Sequence, residues 1–398
     1  MEMARTPGVV VSRMRFGTFI APHHPVGEHP TLQFERDLQM CEMFDKLGYD
    51  EVWVGEHHSG GWETIGHPEM FLAAAAQRTH HIKLATGVVS LPYHHPYNVA
   101  GRIAHLDHLS RGRAILGTGP GALPSDARTY GVETELLRDR QDEAIGVIQQ
   151  LLIAEDPINH QSDWFELNEA FLQVKPLQEN LEILTASSIS PSGMKLAGKY
   201  GLGVISVASF SDEGLAALPT QWSFAETYAA ESGASISRDR WRVMMPWHIA
   251  ETREQAIADI RQGLLHWHNS YNVETLARPG STYVEPSKVD GFIESMIARG
   301  GAIIGTPDDA VDAISKLHEL AGGFGTLVGF VHDWANPAAT DRSYDMFARY
   351  VVPKVQGLID PIERAQFLLR EDNTALMEAA GRGIIKAIRE HKAIHGRA

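Results

Sequence analysis

Eight short apolar runs, each followed by a helical pattern, constrain this chain more than any other feature. The runs are Arg15–Ile20, Glu51–Val54, Ile82–Val89, Ala114–Leu116, Glu182–Thr185, Gly203–Ser206, Trp241–Ala250 and Thr326–Val331. Helical spacing is clearest over Thr31–Leu47, where Phe34, Leu38, Cys41 and Phe44 recur on one face, Thr31 is placed to cap and Gly48 to end. Further helices are expected at Glu69–Arg78, Tyr97–Leu109, Leu136–Leu152, Ser192–Tyr200, Arg253–Tyr271, Pro307–Ala321 and Ser343–Val355. Alternation of this kind implies parallel strands joined by right-handed crossovers. Eight such units fit an α/β fold of the (β/α)8 TIM-barrel type better than an open doubly wound sheet.

A barrel needs about 250 residues, and this chain has 398. The surplus reads as insertions on a single barrel domain over residues 1–358. Pro157–Val174 predicts a small hairpin. Asn272–Ile304, rich in Gly, Pro and polar residues, reads as a long loop acting as a lid. Residues 359–398 read as a charged helical extension packed outside, in an interface.

Composition removes several functions. Fifty acidic against 35 basic residues give a net charge of −15, which repels phosphate backbones and argues against nucleic acid. No apolar run approaches the roughly 18 residues of a membrane helix, and Val9-Val10-Val11 is too short for a signal peptide. The single cysteine, Cys41, permits no intramolecular disulfide and reads as a buried structural thiol. A soluble, cytoplasmic protein is expected.

In a barrel the chemistry sits on the loops that follow the strands. After the second run comes Gly55-Glu56-His57-His58-Ser59-Gly60-Gly61, whose two imidazoles and carboxylate suit acid–base work or a metal. After the third come Tyr93, His94 and His95, residues of a pocket wall. After the fourth comes Gly117-Thr118-Gly119-Pro120-Gly121, weak by itself because no helix opens at once and the spacing is not that of a dinucleotide fingerprint. After the fifth comes Ser187-Ser188-Ile189-Ser190-Pro191-Ser192-Gly193, running straight into a helix. With Ser190 as cap and Pro191 as first helical residue, free N–H groups and hydroxyls converge there, a recipe for binding a phosphate. No H-E-x-x-H occurs, and His23-His24 lacks the His-x-His spacing of barrel metallohydrolases, so no metal is expected. Phe19, Trp62, Tyr93 and Trp267 are candidates for an apolar substrate pocket.

Taken in order, these segments resemble the bacterial luciferase-like flavin monooxygenase superfamily, and within it the limonene 1,2-monooxygenase type. The resemblance rests on Arg15-Phe16-Gly17-Thr18-Phe19, Gly55 to Gly61, Thr86-Gly87-Val88-Val89-Ser90-Leu91-Pro92, Leu106 to Arg113, Gly117 to Gly121, Ser187 to Gly193 and Gly305-Thr306-Pro307. It spans about Met14 to Leu358. It implies a barrel that binds reduced flavin, usually FMN and in some members FAD, supplied by a separate NAD(P)H-dependent flavin reductase. It further implies that His57 is catalytic, stabilising a C4a flavin peroxide formed with O2 and assisting proton transfer. Glu56 belongs to the same motif, and Gly87–Val88 falls where relatives carry a non-proline cis peptide under the flavin ring. Asp126 matches an acidic residue near that ring, Trp267 a tryptophan of the active-site region, and Ser187, Ser188, Ser190, Ser192 and Gly193 the phosphate loop. Residues 272–304 fall where the superfamily has a mobile lid. At one place the resemblance departs: where bacterial luciferase has an arginine after the strand-four turn, this chain has Pro120, with Arg128 downstream.

The activity so implied is insertion of one oxygen into a small apolar molecule, terpenoids among the candidates, by epoxidation, hydroxylation or Baeyer–Villiger reaction. Two other readings stand beside it: a deazaflavin F420-dependent oxidoreductase of the same superfamily, and a noncatalytic flavin-binding partner like luciferase's second subunit. The superfamily resemblance also implies a homo-oligomer, with the exposed helices early in the barrel as its interface.

Overall fold

Strand propensity, burial and pairing coincide in eight parallel strands that close on themselves. The computed structural model describes residues 13–21 and 23–396. The barrel strands are β1 (Arg15–Ile20), β2 (Glu51–Val54), β3 (Lys83–Thr86), β4 (Ala114–Gly119), β5 (Glu182–Ser187), β6 (Gly203–Ser206), β7 (Trp241–Ile249) and β8 (Thr326–Val331). Each pairs with its neighbour in parallel, and β8 returns to β1 with Phe16 opposite Leu327 and Phe19 opposite Phe330. A short ninth parallel segment, Ile303–Gly305, adds to the end of β7.

Every strand sends an apolar side chain inward, because successive residues of a strand alternate between its faces. Phe19, Trp53, Ala85, Ile115, Leu184, Ile205, Met244, Val328 and Phe330 form one interior cluster. Arg242 plugs the interior near the strands' N-terminal ends. Its guanidinium lies 2.7 Å from Glu51 Oε1 and 2.7 Å from Glu182 Oε1, and Arg242 and Glu51 are each 1 % exposed.

The outer helices begin with α1 (Pro30–Leu47), α2 (Pro68–Ala76), α3 (Pro96–Leu109), α4 (Pro124–Tyr130) and α5 (Leu137–Ile153). They continue as α6 (Ser192–Tyr200), α7 (Asp212–Ser232), α8 (Arg253–His266), α9 (Val289–Ala298), α10 (Pro307–Ala321) and α11 (Pro337–Met346). Local chemistry explains most ends: Gly48, Gly131, Gly201 and Gly322 close helices in the left-handed conformation, and Thr306 with Asp309 forms a capping box on α10. The cap of α1 is His29, whose side chain accepts from the Thr31 N–H, rather than Thr31, because the helix starts at Pro30.

The structure also redraws several expected elements. The hairpin is present as Ile158–Gln161 against Glu166–Ala170. The third apolar run breaks at Gly87, leaving a two-residue strand at Val89–Ser90. The expected helix Arg253–Tyr271 changes pitch at Trp267 and continues as a π-helix to Thr275. Residues 272–304 are not one long loop: they contain α9, whose Val289, Ile293 and Met296 are buried against Ile260 and Leu264 of α8. Helices α4 and α7 were not expected at all.

Compact contacts divide the chain after Val351. The second unit carries α12 (Asp360–His395), 36 residues in one continuous helix. Among the described residues, no helix is long and apolar enough to cross a membrane.

Candidate active site

His57 is a half-buried imidazole with a carboxylate beside each nitrogen. Its Nδ1 lies 2.9 Å from Asp126 Oδ2, in the first turn of α4, and its Nε2 lies 3.1 Å from Glu63 Oε2. Burial disfavours the charged ring, but the charges of Glu63 and Asp126 outweigh that cost and raise its pKa. Nδ1 is hydrogen-bonded to Asp126, which fixes the ring's orientation, and the Glu63 charge beside Nε2 favours the protonated form.

Glu63 is the centre of the cluster. Its other oxygen, Oε1, accepts from His23 Nε2 at 3.2 Å and from the Tyr271 hydroxyl. Burial would raise this carboxyl, but His57 and His23 draw its pKa down to about 2. The Tyr271 phenol is raised by burial and by the Glu63 charge, so it remains a donor. Three separate parts of the chain thus meet: the loop after β1, the loop after β2, and the π-helical turns that follow α8. Asp126 closes the other side, its Oδ1 accepting the His58 N–H at 3.1 Å and the Ser59 hydroxyl.

Glu56 organises a second layer. Its Oε1 accepts from His58 Nε2 at 2.9 Å and His94 Nε2 at 2.7 Å, and its Oε2 accepts the Ser90 N–H at 2.8 Å. Burial opposes its charge, yet His58 and His94 bring its pKa down to about 2. Glu56, His58 and His94 offer ligand atoms within 4.8 Å of one another, a set that could hold a metal ion. Both imidazoles are already satisfied on one carboxylate oxygen, so hydrogen bonding accounts for the cluster without one.

The peptide between Gly87 and Val88 is cis. Gly87 sits against the ring of Phe19, where an added Cβ would come within 2.7 Å. At the end of β5, no side chain caps α6: Ser190 does not fill that role, and its hydroxyl instead meets that of Ser192 at 2.8 Å. The first helical bond runs from Lys195 N–H to Pro191 O. Gly193 lets this turn press onto β5, since a Cβ there would strike Ala186 O and reach 2.9 Å from Ser187 Cα. The Ser187 hydroxyl is buried without a hydrogen-bond partner, while Ser188 gives its carbonyl to Gln221 Nε2.

The apolar candidates divide. Phe19 and Trp267 border the interior cluster around Phe330, with ring centroids 6.4 Å from it in both cases. Trp62 is buried against Tyr271, 5.4 Å away, beside the carboxylate cluster. Tyr93 lies apart, stacked on Tyr130 at 4.8 Å with its hydroxyl toward Gly121. Arg128 is exposed on α4.

Residues 14–322 match the family model described as luciferase-like monooxygenase. The chain belongs to that family. Among the relatives of this luciferase-like chain is 4-hydroxyprotoasukamycin monooxygenase of Streptomyces nodosus subsp. asukaensis, 42 % identical over 93 % of this chain and 100 % of the relative. Limonene 1,2-monooxygenase of Rhodococcus erythropolis is 44 % identical over 88 % of each chain. Among solved structures, the oxygenating constituent of 3,6-diketocamphane monooxygenase from Pseudomonas putida, in complex with FMN, superposes with a TM-score of 0.71 at 26 % identity, covering 86 % of this chain and 99 % of its own. F420-dependent relatives are more distant. The protein is therefore an enzyme, a flavin-dependent monooxygenase of the luciferase-like type.

For this luciferase-like barrel the sequence pointed to His57, Glu56 and Asp126 but missed Glu63, His23 and Tyr271. Glu63 carried a usable signal, a carboxylate six residues after His57 within the same strand-end segment. His23, dismissed because it lacks metal spacing, had the right position after β1. Tyr271 carried none, lying in what reads as an ordinary helix.

Proposed function

We propose that this protein is the oxygenase component of a two-component system. It takes reduced flavin, FMN in preference to FAD, from a separate NAD(P)H-dependent reductase and uses O2 to put one oxygen atom into a small apolar, terpenoid-like molecule. A cytoplasmic location belongs to the same proposal, in keeping with a lone buried thiol. The observation that carries the reading is His57, held between Glu63 and Asp126 beside the apolar cluster of Phe19, Trp267 and Phe330.

The residues fit a flavin. The uncapped first turn of α6, with Ser190, Ser192 and the close-packed Gly193, suits one terminal phosphate, and the orphaned Ser187 hydroxyl asks for a polar partner. Gly87–Val88 and Phe19 offer a narrow, largely apolar support for the ring system. Reduced flavin, once bound, supplies the electrons that activate O2. The protein's share is to orient, to exclude water and to hold a proton. Asp126 fixes the His57 Nδ1–H, leaving the proton at Nε2 as the one that can move. The Glu63 carboxylate lies 3.1 Å from that nitrogen and is itself held by His23 and Tyr271, so its charge stays put when the proton leaves. The aromatic wall keeps water from the reacting centre.

The test is anaerobic binding of FMNH2, FADH2 or reduced F420, then admission of 18O2 with candidate terpenes and cyclic ketones. One labelled oxygen in the product, with FMNH2 the best donor, supports the reading. Substrate turnover only with F420 and without label would replace it by hydride transfer. Undiminished oxidation by His57→Ala protein would make the chain a noncatalytic partner.

A further inference from the structure

We propose that α12 is a self-association element that pairs antiparallel with the same helix of a second copy of this chain. The inference is independent of the flavin reading and of any contact with the barrel.

The helix is long and carries an exposed apolar stripe, flanked by Met377, Ile384 and Ile388, with Phe367, Leu368 and Ile385 lying off it. Its 36 residues extend about 54 Å at 1.5 Å per residue. Ile362, Leu369, Leu376 and Ile394 are between 51 and 76 % exposed. Such a helix does not stand unsupported in water, since most helical stability in proteins comes from packing an amphipathic face. Asp372-Asn373-Thr374 and the pair Gly381 and Gly383 lower its intrinsic propensity further.

The spacing of the stripe identifies what covers it. Ile362, Leu369 and Leu376 are seven apart, and so are Ala380, Ala387 and Ile394, with one four-residue step between the sets. A seven-residue step drifts about 20° around a straight helix, and a four-residue step turns it back. All six positions therefore stay in line. The pattern also reads the same from either end, with its midpoint at Glu378. In an antiparallel pair centred there, Ile362 meets Ile394, Leu369 meets Ala387, and Leu376 meets Ala380. Large residues face small ones in both inner layers, which lets the helices pack closely. A parallel pair would set Leu on Leu and Ala on Ala.

Charge selects the same direction. Residues 360–378 hold five acidic and two basic residues, a net −3, and residues 379–395 hold four basic and one acidic, a net +3. Antiparallel pairing puts each half on its opposite; parallel pairing puts each on its like. Glu378, at the midpoint, points away from the seam on the far side of the helix.

Cysteine cross-linking on the full chain tests this, since Cys41 is fully buried and gives no background. Chains carrying Leu369→Cys and chains carrying Ala387→Cys, positions that meet only in the antiparallel pair, are mixed under reducing conditions and then mildly oxidised. Disulfide-linked dimers are expected from the mixture and not from either variant alone. A dimer from either single variant would mean parallel pairing, and no dimer from the mixture would mean that another surface covers the helix; each overturns the proposal. Adding Leu376→Asp to both chains should weaken association about tenfold or more by sedimentation and abolish the cross-link. An undiminished cross-link in that background would also overturn it.

Discussion

His57 Nε2 and Glu63 Oε2 stand 3.1 Å apart, an ion pair within one strand-end loop. Asp126 holds the opposite nitrogen of the ring, and the two carboxylates raise the histidine's pKa where burial alone would lower it.

Replacing that carboxylate should change the pH at which the enzyme works. The His57 pKa is raised in the folded protein, so the imidazolium persists above its ordinary range and is lost as pH rises through the raised value. Glu63→Gln removes the largest favourable charge and should move the alkaline limb of kcat/KM down by about 1–3 pH units. An unmoved limb would show that Glu63 does not govern this proton.

Asp126→Asn keeps the shape of the side chain but weakens its hold on the Nδ1–H, the His58 N–H and the Ser59 hydroxyl. Product formation should fall on the order of a hundredfold, mostly in kcat. A pure KM effect, measured at saturating reduced FMN, would place Asp126 in binding rather than in orienting His57.

Acid should loosen the loop before it unfolds the barrel. The folded pKa of Glu56 is lowered to about 2 from its usual 4.5. Its contribution is present above the ordinary carboxylate range and disappears as pH falls toward 2, with an upper size of about 3 kcal/mol. Glu56→Gln should lower stability at neutral pH and flatten the decline between pH values of about 4.5 and 2. Parallel denaturation curves for both proteins across that window would refute the assignment.

Arg242 answers buried Glu51 and half-buried Glu182 at once. Arg242→Met leaves buried Glu51 with the more distant Arg15, 4.0 Å away, while Glu182 keeps Lys83 and Arg240, and should cost about 3–5 kcal/mol in urea denaturation. A loss below about 1 kcal/mol, the size of an exposed pair, would show that the plug is solvated.

The barrel was legible because its signal is local. Each strand is a short apolar run whose neighbours in sequence are also its neighbours in space, and the eight runs align with the eight strands. Helix α7 was hidden by Pro219, which reads as a breaker in a helix interior. Helix α9 was hidden by Pro279-Gly280, Pro286 and Gly291 around it. The site followed the same rule. His57 and Asp126 announced themselves by position at strand ends, whereas the bonds joining Glu63 to His23 and to Tyr271 cross 40 and 208 residues of chain. Such pairings belong to tertiary structure, and no spacing rule encodes them. Ser190 was misplaced as a helix cap because a serine before Pro191 is an ordinary cap sequence, while the hydroxyl here turns to Ser192.

The change of pitch at Trp267 has a bearing on how substrate preference drifts between related enzymes. One continuous rod is rooted by Ile260 and Leu264 in the outer ring and reaches Glu63 through Tyr271. Gaining or losing a single residue in its wide turns would swing the phenol out of reach while leaving all eight staves in register. The acidity of the cavity can therefore be retuned from the rim, without touching the scaffold beneath it.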